Sequence, residues 1–515
     1  MAEPALKSFA MKPRRGDLVA GISIAAVAIP QSLAYAEIAG MPPHIGLYAA
    51  ALPPIIAAVF ASSRYLQTGP VAMTSLLVFG ALASLESPGT AEYVQSGIML
   101  ALIVGVVRVF LGMINAGILA YLMSQPVLMG FSSAAAILIV ASQLELILGL
   151  PGTNEPLLAR ATMALAQPGD WSWVAIGMSA VTAGIVWGGR HIHRLFPGVL
   201  IAVIGGVVIN RWLMLPVESL GEIPGQLPAL QLEFSFGKIR ELIVPGGVIA
   251  LVGFAEPAAI ARTMAAQDRS FWDPDREFIS QGAANIASGL CGSFPVGGSF
   301  SRSSVAKLAG AQTRFAGMFS GFIVFALLPF ANLLSTLPKA VLGAVVIVAT
   351  VRLIKVVSLF KLIRVTWGQS IVAWGTFLST LAFAPRVDLG LVTGIVLATA
   401  IHLRRESKIA LESTVENKTL SIVPSGVLYF GSAPGLSQAL VNQLATHQDI
   451  EAVIVDLGML GRVDYTGVQE LTAFGDECVA AGLTYKLRNI PDHAMGTMSR
   501  CLGDDLDKLC DAGHE

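Results

Sequence analysis

Apolar residues run in long blocks from about residue 17 to residue 405, and then the blocks stop. Each block is close to the length that crosses a hydrocarbon core, roughly 20 residues, and short polar or proline-glycine breaks separate them. Read in order they predict about fourteen spans, at 17–36, 46–62, 70–86, 96–113, 127–149, 171–189, 196–214, 242–262, 276–296, 299–312, 314–336, 337–353, 369–384 and 387–404. The stretches 70–86 and 299–312 are short for a full crossing and are expected as half-helices buried inside protein. Each is third in a set of seven. An odd set makes the second half cross in the opposite sense, so two inverted repeats are expected, at about 17–215 and 240–405.

Beyond Lys408 the pattern changes. Glu412 to Gly426 is polar and short of apolar runs, whereas Val427 to Phe430, Ala452 to Leu457 and Thr484 to Leu487 read as strands. Ala433 to His447 and Val468 to Ala481 carry helical periodicity. The expected fold is therefore an all-α polytopic membrane domain (17–405) behind a short N-terminal segment (1–16), followed by a small α/β domain (417–515).

Composition agrees with that division. Hydrophobic residues make up 54% of the chain and charged residues only 13%, which excludes an ordinary soluble protein. The basic start, Lys7, Lys12, Arg14 and Arg15, places the N-terminus in the cytoplasm. Arg64, the run Arg190-His191-Ile192-His193-Arg194, and Lys355, Lys361 and Arg364 fall in loops expected on the same side. Arg211, Lys238 and Arg240 fall outside and run against the rule. An even span count returns the chain to the cytoplasm at Arg404-Arg405, so both termini are expected inside the cell's inner (plasma) membrane. Ala34-Tyr35-Ala36 mimics a signal-peptidase site, but Pro30, Gln31 and Ser32 interrupt the stretch before it, and the segment is taken as uncleaved. Cys291, Cys478, Cys501 and Cys510 show no metal spacing and no disulfide is expected. The histidines, His44, His191, His193 and His402 among them, show none either. No HExxH, phosphate loop or Ser/His/Asp order is present, so the chain reads as a non-enzyme with no metal, cofactor or nucleic-acid partner.

The candidate chemistry lies at the two short segments. In Gly297-Gly298-Ser299-Phe300-Ser301-Arg302-Ser303-Ser304 the glycines break the chain and a small-residue run from Ser303 to Gly310 can continue as a helix. A serine capping its start leaves a partly positive helix end, which favours an anion. A second such start is Gln67-Thr68-Gly69-Pro70-Val71-Ala72, where Thr68 or Gly69 can cap and Pro70 suits the first turn. Substrate contacts are therefore expected from Thr68, Gly69, Val71 and Ala72 on one side and from Ser299, Phe300, Ser301 and Arg302 on the other. Of the four serines, Ser301 is taken as the ligand. Arg302 would neutralise the anion. Glu256 lies among small apolar residues far from any other acid, and an ionisable group at that depth is expected to carry a proton. The alternative for Glu256 is a structural glutamate hydrogen-bonded to a neighbouring helix, and for Arg302 a structural salt bridge with Glu256. Gln31 and Tyr35, four apart on one helical face, offer an amide and a hydroxyl to the ligand or serve only in helix packing. Glu37 is read as interfacial.

These residues carry a resemblance over almost the whole chain. Ala28-Ile29-Pro30-Gln31-Ser32-Leu33-Ala34-Tyr35-Ala36 with Ala39-Gly40-Met41-Pro42-Pro43-His44-Ile45-Gly46-Leu47-Tyr48, then Ser62 to Ala72, then Ser293 to Arg302, resembles in order the motifs of the SulP sulfate permease family, called solute carrier family 26 in animals. The tail resembles the STAS domain that ends such transporters, with Asp464-Tyr465-Thr466-Gly467 in the place of its conserved loop. The resemblance implies a fourteen-span fold of two inverted repeats, a homodimer, and secondary transport of an anion such as sulfate, bicarbonate, chloride, oxalate or a dicarboxylate. Proton-coupled members similar to the plant permeases have the residues found here at Gln31, Tyr35, Glu256, Ser301 and Arg302. Sodium-coupled bicarbonate members look different, with an aspartate in the place of Glu256. Gly297-Gly298 departs from a more common threonine-glycine pair. By resemblance alone Thr466 is a candidate for phosphorylation.

The combined expectation is a proton-coupled sulfate symporter, with the anion held between the starts of spans 3 and 10. A C4-dicarboxylate such as fumarate, or bicarbonate, is the alternative cargo. A passive anion channel or a membrane sensor is the alternative class.

Overall fold

The computed structural model describes residues 12–121, 124–152, 155–193, 195–231, 237–503, 506 and 509–510. Lys7 and Arg194 of the expected cytoplasmic charges lie outside the described residues. The chain divides into two compact units, Met1–Ile395 and Val396–Glu515.

The first unit is helical. It opens with α1 (Arg15–Ile38), α2 (Pro43–Phe60), strand β1 (Gln67–Gly69) and the short α3 (Ala72–Leu82). There follow α4 (Ala91–Met113), α5 (Gln125–Leu148), α6 (Leu157–Ala166), α7 (Trp173–Ile192) and α8 (Gly198–Leu213). The second half runs α9 (Ile239–Gln267), α10 (Pro274–Leu290), β2 (Gly297–Ser299), the short α11 (Phe300–Leu308), α12 (Phe315–Leu327), α13 (Lys339–Thr350), α14 (Val356–Val365), α15 (Trp367–Ala382) and α16 (Val387–Glu406). Among the described residues eight helical stretches are long and apolar enough to cross a membrane. The chain is a polytopic membrane protein.

Small residues let these helices pack closely. Where α4 meets α10, a Cβ on Gly105 would stand 2.9 Å from the Gly282 carbonyl oxygen, and one on Gly282 would stand 2.8 Å from that of Gly105. The same group holds α1, α2 and α12, while α5, α7, α8, α13 and α15 pack among themselves. Asp17, fully buried in the first turn of α1, ties that helix to the turn after α11. Its Oδ1 accepts from the amides of Gln312 at 2.7 Å and Thr313 at 2.8 Å, and its Oδ2 from the Thr313 hydroxyl at 2.6 Å.

The second unit begins within α16 and carries a five-stranded sheet. Strands β3 (Ala410–Glu416) and β4 (Thr419–Leu428) form an antiparallel hairpin, so most of the polar stretch from Glu412 to Gly426, for which no strand was expected, is sheet. Asn417 (φ 48°) and Lys418 (φ 61°) both sit in the left-handed region, as a two-residue hairpin turn requires. Parallel strands β5 (Ala452–Asp456) and β7 (Thr484–Arg488) extend the sheet, and β6 (Leu460–Val463) pairs with the far end of β4. Helices α17 (Ala433–Thr446), α18 (Tyr465–Ala480) and α19 (Asp492–Leu502) complete the unit. Leu420, Ile422, Val453 and Val455 from the sheet meet Leu436, Leu440, Leu471 and Phe474 from the helices in one apolar core.

Candidate functional site

Two breaks in the helical bundle meet at its centre. Strands β1 and β2 pair antiparallel, Gln67 opposite Ser299, Thr68 opposite Gly298 and Gly69 opposite Gly297. A short helix leaves the end of each. At 1.5 Å per residue, α3 and α11 are only about 16 Å and 14 Å long, roughly half a bilayer core each.

The starts of these helices differ from expectation. Val71, not Thr68 or Gly69, is the cap of α3, because the two earlier residues are committed to the strand pair. At the other break α11 begins at Phe300, three residues before Ser303, and Ser299 caps it by accepting from the Arg302 amide at 3.4 Å. Ser303 is a staple: its hydroxyl donates to the Ser299 carbonyl at 2.6 Å and accepts from the Gln67 amide at 3.0 Å. Ser301 sits beside the cap, its hydroxyl 3.2 Å from that of Ser299.

Arg302 is 1% exposed and reaches back across the break. Its Nη2 donates to the Pro70 carbonyl at 2.7 Å, while its Nε has no acceptor among the described residues. Gly69 makes room for it. A Cβ there would lie 2.8 Å from Arg302 Nη1, and the backbone at φ +148° suits glycine. Tyr35, buried on α1, feels the charges of both Arg302 and Glu256, which brings three of the expected residues to one place. Gln31, one turn earlier on the same helix, is 3% exposed and its Oε1 has no donor among the described residues. Glu256 is half-buried in the middle of α9. No ion pair joins it to Arg302 among the described residues.

Two expected contacts turn away. The Thr68 hydroxyl accepts from Gln281 Nε2 at 2.7 Å and so faces α10, opposite the side of the strand that Arg302 approaches at Gly69. Phe300 is 60% exposed, so only its backbone amide belongs to the helix end. Val71 and Ala72 are buried at the start of α3. Glu37, read as interfacial, is half-buried, and its Oε2 lacks a donor among the described residues. Thr466 is the second residue of α18, half-buried behind the capping Asp464.

The sequence reading overlooked the groups that hold the breaks together. Asn285 accepts from the Val296 amide at 2.9 Å and donates to its carbonyl at 3.0 Å. Arg108 donates to the same carbonyl at 3.1 Å. A buried arginine in the middle of an apolar span was the signal that marked the latter.

A polar centre made from two broken helices inside a polytopic bundle is the architecture of a membrane carrier. The chain belongs to the sulfate permease family, whose model matches residues 15–376. It is 31% identical to sulfate transporter 4.1, chloroplastic, of Arabidopsis thaliana, a match spanning 81% of this chain and 63% of that protein. It is 32% identical to a probable sulfate transporter of Mycobacterium tuberculosis, across 76% of this chain and 69% of the relative. Among solved structures, the murine anion transporter solute carrier 26 family member A9, in the inward-facing state, superposes with a TM-score of 0.88 at 20% identity, covering 97% of this chain and 89% of that one. At that identity the likeness shows the fold. The relatives carry the names of transporters, in keeping with a non-enzyme.

Proposed function

We propose that the protein is a secondary active anion transporter, a proton-coupled sulfate symporter of the inner membrane. The observation that carries this reading is Arg302, buried between the two helix starts with its Nη2 pinned to the Pro70 carbonyl and its Nε without an acceptor among the described residues; Glu256 lies in the middle of α9 with no ion pair to Arg302 among them. An anion held at the α3 and α11 starts would meet Arg302, the helix-end amides of Val71, Ala72, Phe300 and Ser301, and the Ser301 hydroxyl. Gln31 and Tyr35 would face it from α1. A proton on Glu256 would offset part of the anion's charge during loading. Thr68 and Gly69 would serve indirectly, the first through its link to α10 and the second by admitting Arg302.

In this reading α1–α5, α7, α8, α9–α13, α15 and α16 supply fourteen spans in two inverted repeats, about 17–215 and 240–405, while α6 and α14 lie outside the count. The antiparallel pairing of β1 with β2 supports it, since inverted repeats bring equivalent segments together head to tail. The part of the second unit from about 417 to 515 serves as a cytoplasmic STAS domain, in a homodimer with both termini inside. Thr466 at the start of α18 is its proposed regulatory hydroxyl.

The test is uptake of radiolabelled sulfate into proteoliposomes under an inward proton gradient, with Glu256→Gln beside the wild type. Accumulation that the mutant loses supports the assignment. Uptake of fumarate or bicarbonate in place of sulfate would overturn the cargo, and accumulation unchanged in Glu256→Gln would overturn the proton carrier.

A further inference from the structure

Arg108 on α4 is completely buried and is the largest such side chain among the described residues. Its Nε donates to the Ala250 carbonyl at 3.0 Å and its Nη2 to the Ile249 carbonyl at 3.1 Å, both on α9. Its Nη1 donates to the Val296 carbonyl at 3.1 Å, one residue before β2. No carboxylate pairs with it among the described residues. A cation buried in a membrane segment is costly, and three bonds spread over two elements make sense where those elements must keep their places.

The two elements are the ones that carry the site. Val296 leads through β2 to the cap of α11, and Asn285 grips both of its backbone polar groups as well. On α9 the guanidinium lies against Gly253, where a Cβ would stand 2.7 Å from Nη2. Glu256 follows three residues later, close to the same helical face. A planar guanidinium can span three carbonyls at once; a lysine ammonium has no such fork.

We propose that Arg108 is a positioning residue that locks α9 to the strand starting α11, so that Glu256 and the anion-binding helix end move as one body. The inference rests on the proton-coupled reading above. Without the lock the anion still binds at the helix ends and Arg302, but the carboxyl no longer stays in register with it. Binding then survives while coupling fails.

The test compares wild type, Arg108→Lys and Gly253→Ala in proteoliposomes, each checked for a folded fraction by size exclusion. Gly253→Ala keeps the charge and displaces the guanidinium, so it perturbs the lock by a second route. Two rates are measured: sulfate accumulation driven by a proton gradient, and sulfate–sulfate counterflow with no gradient. The expected result for both variants is a counterflow KM within about threefold of wild type and gradient-driven accumulation reduced at least tenfold. Accumulation and counterflow falling in the same proportion, a KM rise above tenfold with accumulation intact at saturation, no change in either variant, or no folded protein from either would each overturn the proposal. A wild type that shows counterflow without proton-driven accumulation defeats the symport reading itself, and the lock with it; a coupled wild type with coupled variants defeats the lock alone.

Discussion

Replacing Arg302 separates two contributions that one side chain makes. The Arg302→Lys variant keeps a positive charge but loses the bond from Nη2 to the Pro70 carbonyl, 2.7 Å long and fully buried. A hydrogen bond to a charged donor is worth about 1.5–3 kcal/mol. The free energy of placing the cation therefore rises by that amount, and the apparent affinity for sulfate falls by about 10- to 150-fold. Arg302→Met removes the charge as well. For an anion about 5 Å away in an effective dielectric near 20, the attraction is about 3 kcal/mol per unit of anion charge, so a dianion loses more than about 1,000-fold. Equilibrium binding of radiolabelled sulfate to purified protein measures both, free of transport kinetics. Binding by Arg302→Met within threefold of wild type would refute the placement of the anion at this break, and a lysine variant equal to wild type would refute the role of Pro70 in holding the guanidinium.

Three further outcomes follow from particular contacts. Asp17→Ala strips the acceptors from the Gln312 and Thr313 amides and leaves buried donors unpaired, at a cost of about 3–5 kcal/mol; a lowered midpoint in a thermal unfolding scan checks it, whereas an unchanged midpoint contradicts it. Gly298→Ala would place a Cβ 2.8 Å from Leu66 and 2.9 Å from Pro257, an overpacking worth about 1–3 kcal/mol that should lower the same midpoint, and a variant as stable as wild type would show that the break is softer than this geometry. Beyond the end of α9, hydrogen bonds from the Lys307 ammonium and then from Tyr65 hold the Asp268 carboxyl below its ordinary range. A depressed folded pKa contributes above the ordinary range near 4 and is lost as pH falls through the lower folded value. Amide protection factors around Lys307, each taken against the intrinsic exchange rate at that pH, should thus match at pH 7 and pH 5 and fall below about pH 4, and Asp268→Asn should show the low protection at pH 7; equal protection of the variant would remove the tether.

Long apolar blocks made the spanning helices legible, because a bilayer tolerates little else over that length. The two breaks were legible for the same reason: glycine at 69, 297 and 298 and proline at 70 cannot be ignored in an apolar run. What they turned into was not. Three-residue strands carry no periodicity, so the pairing of Gln67 with Ser299 cannot be read from sequence, and Thr68 and Gly69 look like alternative caps although both belong to a strand. Helices α6 and α14 were missed because ten amphipathic residues in a loop resemble a polar connector. The β3–β4 hairpin was missed because Asn417-Lys418 lacks the glycine that usually announces such a turn, and because its outer face is exposed. Arg302 and Glu256 were found by their cost in a membrane; Arg108 met the same test and was overlooked because it lies in no motif.

The backbone of the two breaks supports an anion, and not a cation, as the proposed occupant of the centre. In hydrocarbon every peptide group needs a partner, and an unwound segment must find its partners outside the helical ladder. The carbonyls here have them: Pro70 from Arg302, Val296 from Arg108 and Asn285, Ser299 from Ser303, and Phe294 from Ser288 at 2.6 Å. The amides of Gln67 and Val296 have them too. Left over are first-turn amides, Ala72 and Met73 on α3 and Phe300 and Ser301 on α11, for which no acceptor is found among the described residues outside their helices. Each short helix adds a partial positive charge at that end. Among the described residues the break carbonyls named above are taken up, while these first-turn amides remain. An oxyanion at these ends can take several donors at once, with Arg302 Nε as one more.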